Sequence, residues 1–309
     1  MITTPTVLVL GAGASCPYGF PTAKQLKNRI CDVFSSRTPA IRLLEDNLAP
    51  AGKFLEFREA FWKSGTASVD NFLEGRPEFL DVGKLAIAYC LIPFENEANL
   101  YRPPTDDGDW YLHLSERLNQ SFDEFENNKL SIITFNYDRS LEHYLFNSLL
   151  NWHGRSVDEC IEKLAKVPII HVYGQLGAIP YPQRGCRAYL PHGEDEKKVL
   201  DALLNAVLEA AHGITLLHER ASDLTEARKL LTAAERVCFL GFSYQASNLA
   251  RLQLEDSVLN RWVFGTVLHF EAGEVKKTER CLNETMLSGS VTLDDADNLT
   301  VLRRHLLLG

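Results

Sequence analysis

Five residues of uninterrupted apolar strand, Thr6-Val-Leu-Val-Leu10, run directly into Gly11-Ala-Gly13-Ala-Ser15. A strand that is apolar on both faces has to be covered on both faces, as in a parallel sheet with helices above and below. The glycines behind it let backbone approach a ligand closely, and the next helix points its first N–H groups at an anion. The opening therefore predicts a βα turn of the kind that cradles a nucleotide phosphate.

The rest of the chain keeps to that plan. Short apolar runs at Ser131–Phe135, Pro168–Val172 and Arg236–Leu240 read as further buried strands, with Val263–Phe270 as another. Helical periodicity fills the intervals, at Ala23–Phe34, Val82–Phe94, Leu112–Phe125, Ser140–Leu150, Glu194–Ala211, Leu224–Ala234 and Ser247–Leu259. Alternating strands and helices predict an α/β fold with a doubly wound, Rossmann-like parallel sheet, in a single domain over residues 1–309. Residues 40–127 carry helices and no convincing strand, so they are expected to form a helical insert. Residues 173–193 are rich in glycine and proline, from Gly174 and Gly177 to Pro191 and Gly193. They are expected to be a long irregular loop, of the kind that in compact domains is either functional or disordered.

Composition narrows the partners. The net charge is −9, which argues against a broad grip on nucleic-acid backbone, because that needs a cationic surface. No apolar run approaches the ~20 residues of a membrane span, so no membrane partner is expected. Val7–Cys16 imitates a signal segment, but no Lys or Arg precedes Lys24, and a cytoplasmic protein is expected. The seven cysteines (Cys16, Cys31, Cys90, Cys160, Cys186, Cys238 and Cys281) form no C-x-x-C pair. Neither a zinc ribbon nor a dithiol motif is expected, and no metal.

In open α/β sheets, ligands bind beyond the carboxyl ends of the strands. Those ends here carry Gly11–Ser15, then Asn136-Tyr-Asp138, then His171-Val-Tyr-Gly174, then Gly241-Phe-Ser243-Tyr244 with Asn248 behind it. Any one of these is ordinary cap or turn chemistry; four of them at one edge of a sheet point to a site. A dinucleotide dehydrogenase is not expected. Its G-x-G-x-x-G would have Cys16 in third place, and no second strand ending in an acid follows ~20 residues on. A P-loop is excluded because no Gly-Lys-Ser/Thr follows.

Taken in order, these residues resemble the sirtuin-like family, and within it the zinc-less bacterial branch of NAD hydrolases. The resemblance rests on Gly11-Ala-Gly-Ala-Ser15, Gly19-Phe-Pro21, Thr134-Phe-Asn136-Tyr-Asp138 and His171-Val-Tyr-Gly174. Ser68-Val-Asp70-Asn-Phe-Leu73, Gly83-Lys84-Leu-Ala-Ile87 and Leu240–Tyr244 add to it, over about residues 6–260. Protein-deacylating sirtuins carry two C-x-x-C pairs on a structural zinc and follow Gly-x-Pro with Phe-Arg. This chain has no such pair and has Thr22-Ala23 at the second place. The resemblance thus implies a sirtuin-type fold that consumes NAD as its substrate, cleaving it to nicotinamide and ADP-ribose, over protein deacylation or ADP-ribosyl transfer. It further implies an antiphage effector that works as a homo-oligomer, restrained by a sensor partner such as a ring ATPase of the HerA type. A module that binds NAD or ADP-ribose without turnover is the alternative from another class.

On this resemblance Gly11, Ala12, Gly13 and Ser15 meet the pyrophosphate, with Pro21 and Thr22 beside them. Gly241, Ser243 and Asn248 meet the adenosine ribose. Asn136, His171 and Asp138 form the catalytic set. An amide at Asn136 bonds both a ribose hydroxyl and a water, and His171 titrates near neutrality, as a general base should. Asp138 either holds the nicotinamide carboxamide or supports the strand-end turn. His153-Gly154 is the rival pair, but it follows Leu149-Leu-Asn-Trp152 and reads as a helix end with its glycine cap. Tyr18 and Phe20 either close on the nicotinamide or pack the loop onto the insert. Asp70 reads as a helix cap.

Overall fold

In a computed structural model that describes residues 1–101, 108–178, 187–189, 196–215, 221–252, 261–286 and 290–305, β1 (Thr6–Leu10) is buried along its whole length. Val7 and Val9 enter one core, Leu8 and Leu10 a second, as the two-residue period of a strand requires. β2 (Leu130–Thr134), β3 (Ile169–His171), β4 (Arg236–Leu240), β5 (Trp262–Thr266) and β6 (Ser290–Asp294) complete a six-stranded sheet. Its order is β3-β2-β1-β4-β5-β6, and every pairing is parallel. This is the doubly wound Rossmann-like order.

Helices fill the connections. Between β1 and β2 lie α1 (Ala12–Ser15), α2 (Ala23–Val33), α3 (Pro39–Leu48), α4 (Lys53–Lys63), α5 (Val69–Gly75), α6 (Leu80–Leu91), α7 (Glu97–Leu100) and α8 (Trp110–Leu118). Next come α9 (Ser140–His153) and α10 (Val157–Leu164) before β3, then α11 (Glu196–Gly213) and α12 (Ala221–Ala233) before β4. α13 (Ala246–Leu252) follows β4, α14 (Ala272–Met286) follows β5 and α15 (Asn298–His305) follows β6. One core takes apolar residues from α2 to α6 and from α11 to α14. The other takes them from α8, α9, α10 and α15.

Three differences from expectation have local causes. The strand expected at Val263–Phe270 stops at Thr266, because the chain then turns. Phe270 N–H donates to the Val267 carbonyl at 2.9 Å, and His269 takes φ 66°. β6 has no counterpart in the sequence reading: Ser-Val-Thr-Leu-Asp is a partly exposed strand, too polar to show as a buried run. The helix expected at Leu112–Phe125 ends at Leu118, with Asn119 as its cap. The helix expected at Ser247–Leu259 is seen as α13 to Leu252, and 253–260 lie outside the described residues, as does much of the loop expected at 173–193.

Among the described residues, no helix is long and apolar enough to cross a membrane, and no group of His, Cys, Asp or Glu gathers as a metal site.

Candidate functional site

The strand order reverses at β1, which has β2 on one side and β4 on the other. At that switch the two following turns touch backbone to backbone. Gly11 N–H donates to the Leu240 carbonyl at 3.0 Å, and Gly13 N–H to the Gly241 carbonyl at 2.9 Å. A methyl group on Gly11 would stand 2.6 Å from the Gly241 oxygen, and one on Gly241 would stand 2.1 Å from Ala14 N. Gly241 also has φ 56°. The sequence reading has the bare backbones of Gly11 and Gly13 facing a pyrophosphate. In the fold they face Gly241, and the glycine run seats two strand-end turns against each other.

Beside this contact a small pocket, about 80 Å³ in volume, opens over the ends of β1 and β2. Its apolar wall comes from Phe20, Leu26, Val69, Leu91 and Phe135. Its polar wall is Ser15, Asp70, Asn136, Tyr137 and Asp138. Ala12, Pro21 and Ala23 border it. Thr22 does not. Its hydroxyl accepts from Gln25 N–H at 3.3 Å, while Gln25 Oε1 accepts from Thr22 N–H at 2.8 Å, so Thr22 is the N-cap of α2 in a capping box.

Asn136 sits where β2 ends. Its Nδ2 donates to the Gly11 carbonyl at 3.0 Å and to Ser15 Oγ at 3.1 Å. Among the described residues no donor reaches its Oδ1, so the amide offers an acceptor. Asp138 also lines the pocket, yet its Oδ1 accepts from Ser140 N–H at 3.2 Å and from the Ser140 hydroxyl. It is thereby bonded to the first residue of α9. Burial raises the Asp138 pKa above the ordinary carboxylate range, hydrogen bonds from Ser140 and Ser15 oppose the rise, and Glu142 adds to it.

His171 closes β3 and pairs in register with Thr134. Its Nδ1 lies 2.9 Å from the Asn136 carbonyl, and its Nε2 is bonded to Glu142 Oε1. Burial opposes the charge on His171, but the Glu142 carboxylate and the two hydrogen bonds outweigh it and raise the pKa. The residue does not line the pocket. In this conformation both ring nitrogens of His171 are engaged, one by the carbonyl of Asn136 and one by Glu142. His153 ends α9, and Gly154 at φ 59° caps it, as the pattern predicts.

The residues expected to meet an adenosine ribose lie apart from this pocket. Ser243 is exposed. Asn248 Oδ1 accepts from the Tyr173 hydroxyl at 3.0 Å and from Arg251 Nη1 at 2.8 Å. Arg251 in turn reaches Glu74 of α5 at 2.7 Å. Neither Ser243 nor Asn248, nor Gly241, borders the pocket. The two aromatic residues of the first turn divide. Phe20 is in the pocket wall, whereas Tyr18 stacks on Tyr111 at 3.6 Å and bonds Asp109 at 3.0 Å, packing the turn onto the helices.

Sequence reasoning misses two features. Asp70 is not the cap of α5, because Ser68 accepts from Asn71 N–H at 3.1 Å and fills that place. Asp70 faces the pocket and takes a hydrogen bond from the Tyr137 hydroxyl. Burial first, and then the charge of Glu74, push its pKa up to about 7. The second feature is a buried ion cluster. Glu95 accepts from Arg139 Nε at 2.9 Å and from Arg187 Nη2 at 2.8 Å. Arg187 Nη2 also reaches the Leu176 carbonyl at 2.6 Å. The cluster ties the segments after β3 to the residue that follows Asp138. A Ser-x-x-Asn cap pattern conceals the first feature, and nothing in local spacing announces the second.

No family model and no curated protein matches the chain. Among solved structures, it is similar to a chain described under "The Structural basis of Sirtuin Substrate Affinity", with 13% identity and a TM-score of 0.37, covering 97% of this chain and 91% of that one. The fold is established by the sheet itself: six parallel strands in Rossmann-like order, with a mixed polar and apolar pocket beside the switch point.

Proposed function

We propose that this protein is an NAD glycohydrolase that cleaves NAD to nicotinamide and ADP-ribose. The observation that carries the proposal is the grouping of Ser15, Asn136 and Asp138 in one wall of a pocket whose other side is apolar. The motif order that resembles the sirtuin-like NAD hydrolases supports it. In this reading the nicotinamide ring lies against Phe20, Leu26 and Phe135. The bond from ribose C1 to the ring nitrogen breaks with both electrons on nitrogen, leaving positive charge on the sugar. Asn136 Oδ1 holds the attacking water or a ribose hydroxyl. The water oxygen bonds C1, and its proton passes to Asp138, which burial makes a better base, and from there to solvent. His171 acts through Asn136, as a positioning residue. Under the same proposal the protein is an antiphage effector, a homo-oligomer restrained by a partner such as a ring ATPase of the HerA type.

One observation favours a second reading, a dinucleotide-binding module without turnover. Both nitrogens of His171 are bonded to Asn136 and Glu142, so the residue expected to activate water is engaged with other partners. Incubating the protein with NAD and following nicotinamide and ADP-ribose separates the two. Release that falls at least a hundredfold in Asn136→Ala supports hydrolysis. NAD binding with no nicotinamide released by the native assembly sinks it in favour of the binding module.

A further inference from the structure

The pocket wall has an unequal charge. It contains the carboxyl groups of Asp70 and Asp138, and no Lys or Arg among the residues that line it. Asp138 is tied to α9, through Ser140 N–H and the Ser140 hydroxyl. Asp70 is differently placed. Its Oδ1 accepts from Tyr137, its Oδ2 takes a long contact from the Ser68 hydroxyl at 3.4 Å, and its own backbone N–H also favours the carboxylate. Asp70 thus presents a carboxyl oxygen in a wall shared with Val69 and Phe135, where an unpaired carboxylate is costly. A planar cation would remove that cost, and the oxidised nicotinamide ring is one; the reduced ring is neutral. We propose that Asp70, held by Tyr137, is the group by which this pocket selects the cationic nicotinamide of NAD over the neutral ring of NADH. This rests on the reading that the pocket takes a nicotinamide dinucleotide.

The surroundings of Asp70 define its pH dependence. Glu74 on its own helix disfavours the carboxylate. Arg251 of α13 favours it but is paired with Glu74 and Asn248. Tyr137 and Ser68 donate to it, and Tyr173 is the other titratable neighbour. With a pKa of about 7, Asp70 is about half protonated at neutral pH. A bound cation favours the charged form and lowers that pKa. Affinity for the cation is then full above pH 7 and falls as the carboxyl protonates below it. The slope is that of one coupled proton, about tenfold per pH unit.

The test is binding of carba-NAD, which keeps the pyridinium charge and cannot be hydrolysed, beside NADH, by calorimetry between about pH 5.5 and 8.5, a range that spans the expected midpoint. Wild type should bind carba-NAD about tenfold more weakly for each unit below 7, with NADH flat. Asp70→Asn, which keeps an acceptor for Tyr137, should flatten the carba-NAD profile and remove most of the preference over NADH. Tyr137→Phe deletes a donor to the carboxylate and should move the midpoint upward, so the inference does not hang on one variant. Unchanged selectivity in Asp70→Asn, or a parallel pH profile for NADH, overturns it. If carba-NAD shows this profile while NAD is never cleaved, hydrolysis fails and the Asp70 role stands. If NAD is cleaved while selectivity ignores Asp70, the reverse holds. If neither dinucleotide binds, both fall.

Discussion

Replacing Gly241 with alanine tests the contact that builds the switch point. Two costs add there. The backbone sits at φ 56°, where a Cβ costs about 1–2 kcal/mol. That Cβ would also stand 2.1 Å from Ala14 N and from Gly13 C, both backbone atoms that no rotamer change can clear. Overpacking of this kind costs about 1–3 kcal/mol. Gly241→Ala should therefore lose about 2–5 kcal/mol, the sum of the two. Two other glycines separate these costs. Gly52 has φ 80° and nothing within 4 Å of the place a Cβ would take, so Gly52→Ala should lose only about 1–2 kcal/mol. Gly11 has an ordinary φ of −110° and a backbone oxygen 2.6 Å from its would-be Cβ, so Gly11→Ala should lose about 1–3 kcal/mol by crowding alone. Urea unfolding at a shared m-value gives the three differences directly. A Gly241→Ala protein no less stable than Gly52→Ala would refute the backbone contact between the two turns.

The His171–Glu142 pair makes stability depend on pH. Because the folded pKa of His171 is raised, its contribution is complete below the unfolded value of about 6.5 and is lost as pH rises through the folded one. Urea midpoints of wild type should therefore fall on that rise and those of Glu142→Gln should not; parallel profiles would show that the two residues are not paired. Glu95→Ala leaves Arg139 and Arg187 buried without their counter-ion and should cost about 3–5 kcal/mol by urea unfolding. A loss below about 1 kcal/mol would show that water or another acceptor serves the two arginines.

Several parts of the fold are legible in the chain because their signal is local. β1 and β4 are continuous apolar runs, and each ends in glycine where its turn begins. Asn136 and Asp138 follow an apolar strand directly, so the sequence alone assigns them to the sheet edge. β6 is not legible, since a partly exposed strand of Ser, Val, Thr, Leu and Asp lacks the apolar run that marks a central one. Thr22 illustrates the opposite error: the capping pair Thr22–Gln25 stands in the sequence, and motif resemblance draws the residue towards the ligand instead.

By itself the sequence determined the alternation of buried strands and helices, and with it a doubly wound sheet whose strand ends gather polar residues at one edge. That follows from periodicity and from the need to bury both faces of an apolar strand. Only the tertiary structure decided how those residues are engaged. It set Gly241 against Gly11 and Gly13, and it gave both nitrogens of His171 to Asn136 and Glu142. It also moved Asp70 from a helix cap to a pocket wall beside Tyr137, which is 67 positions away in the chain. Charge state and hydrogen bonding depend on which groups burial brings within ~3 Å of each other, and that distance is a property of the packed fold, not of spacing along the chain.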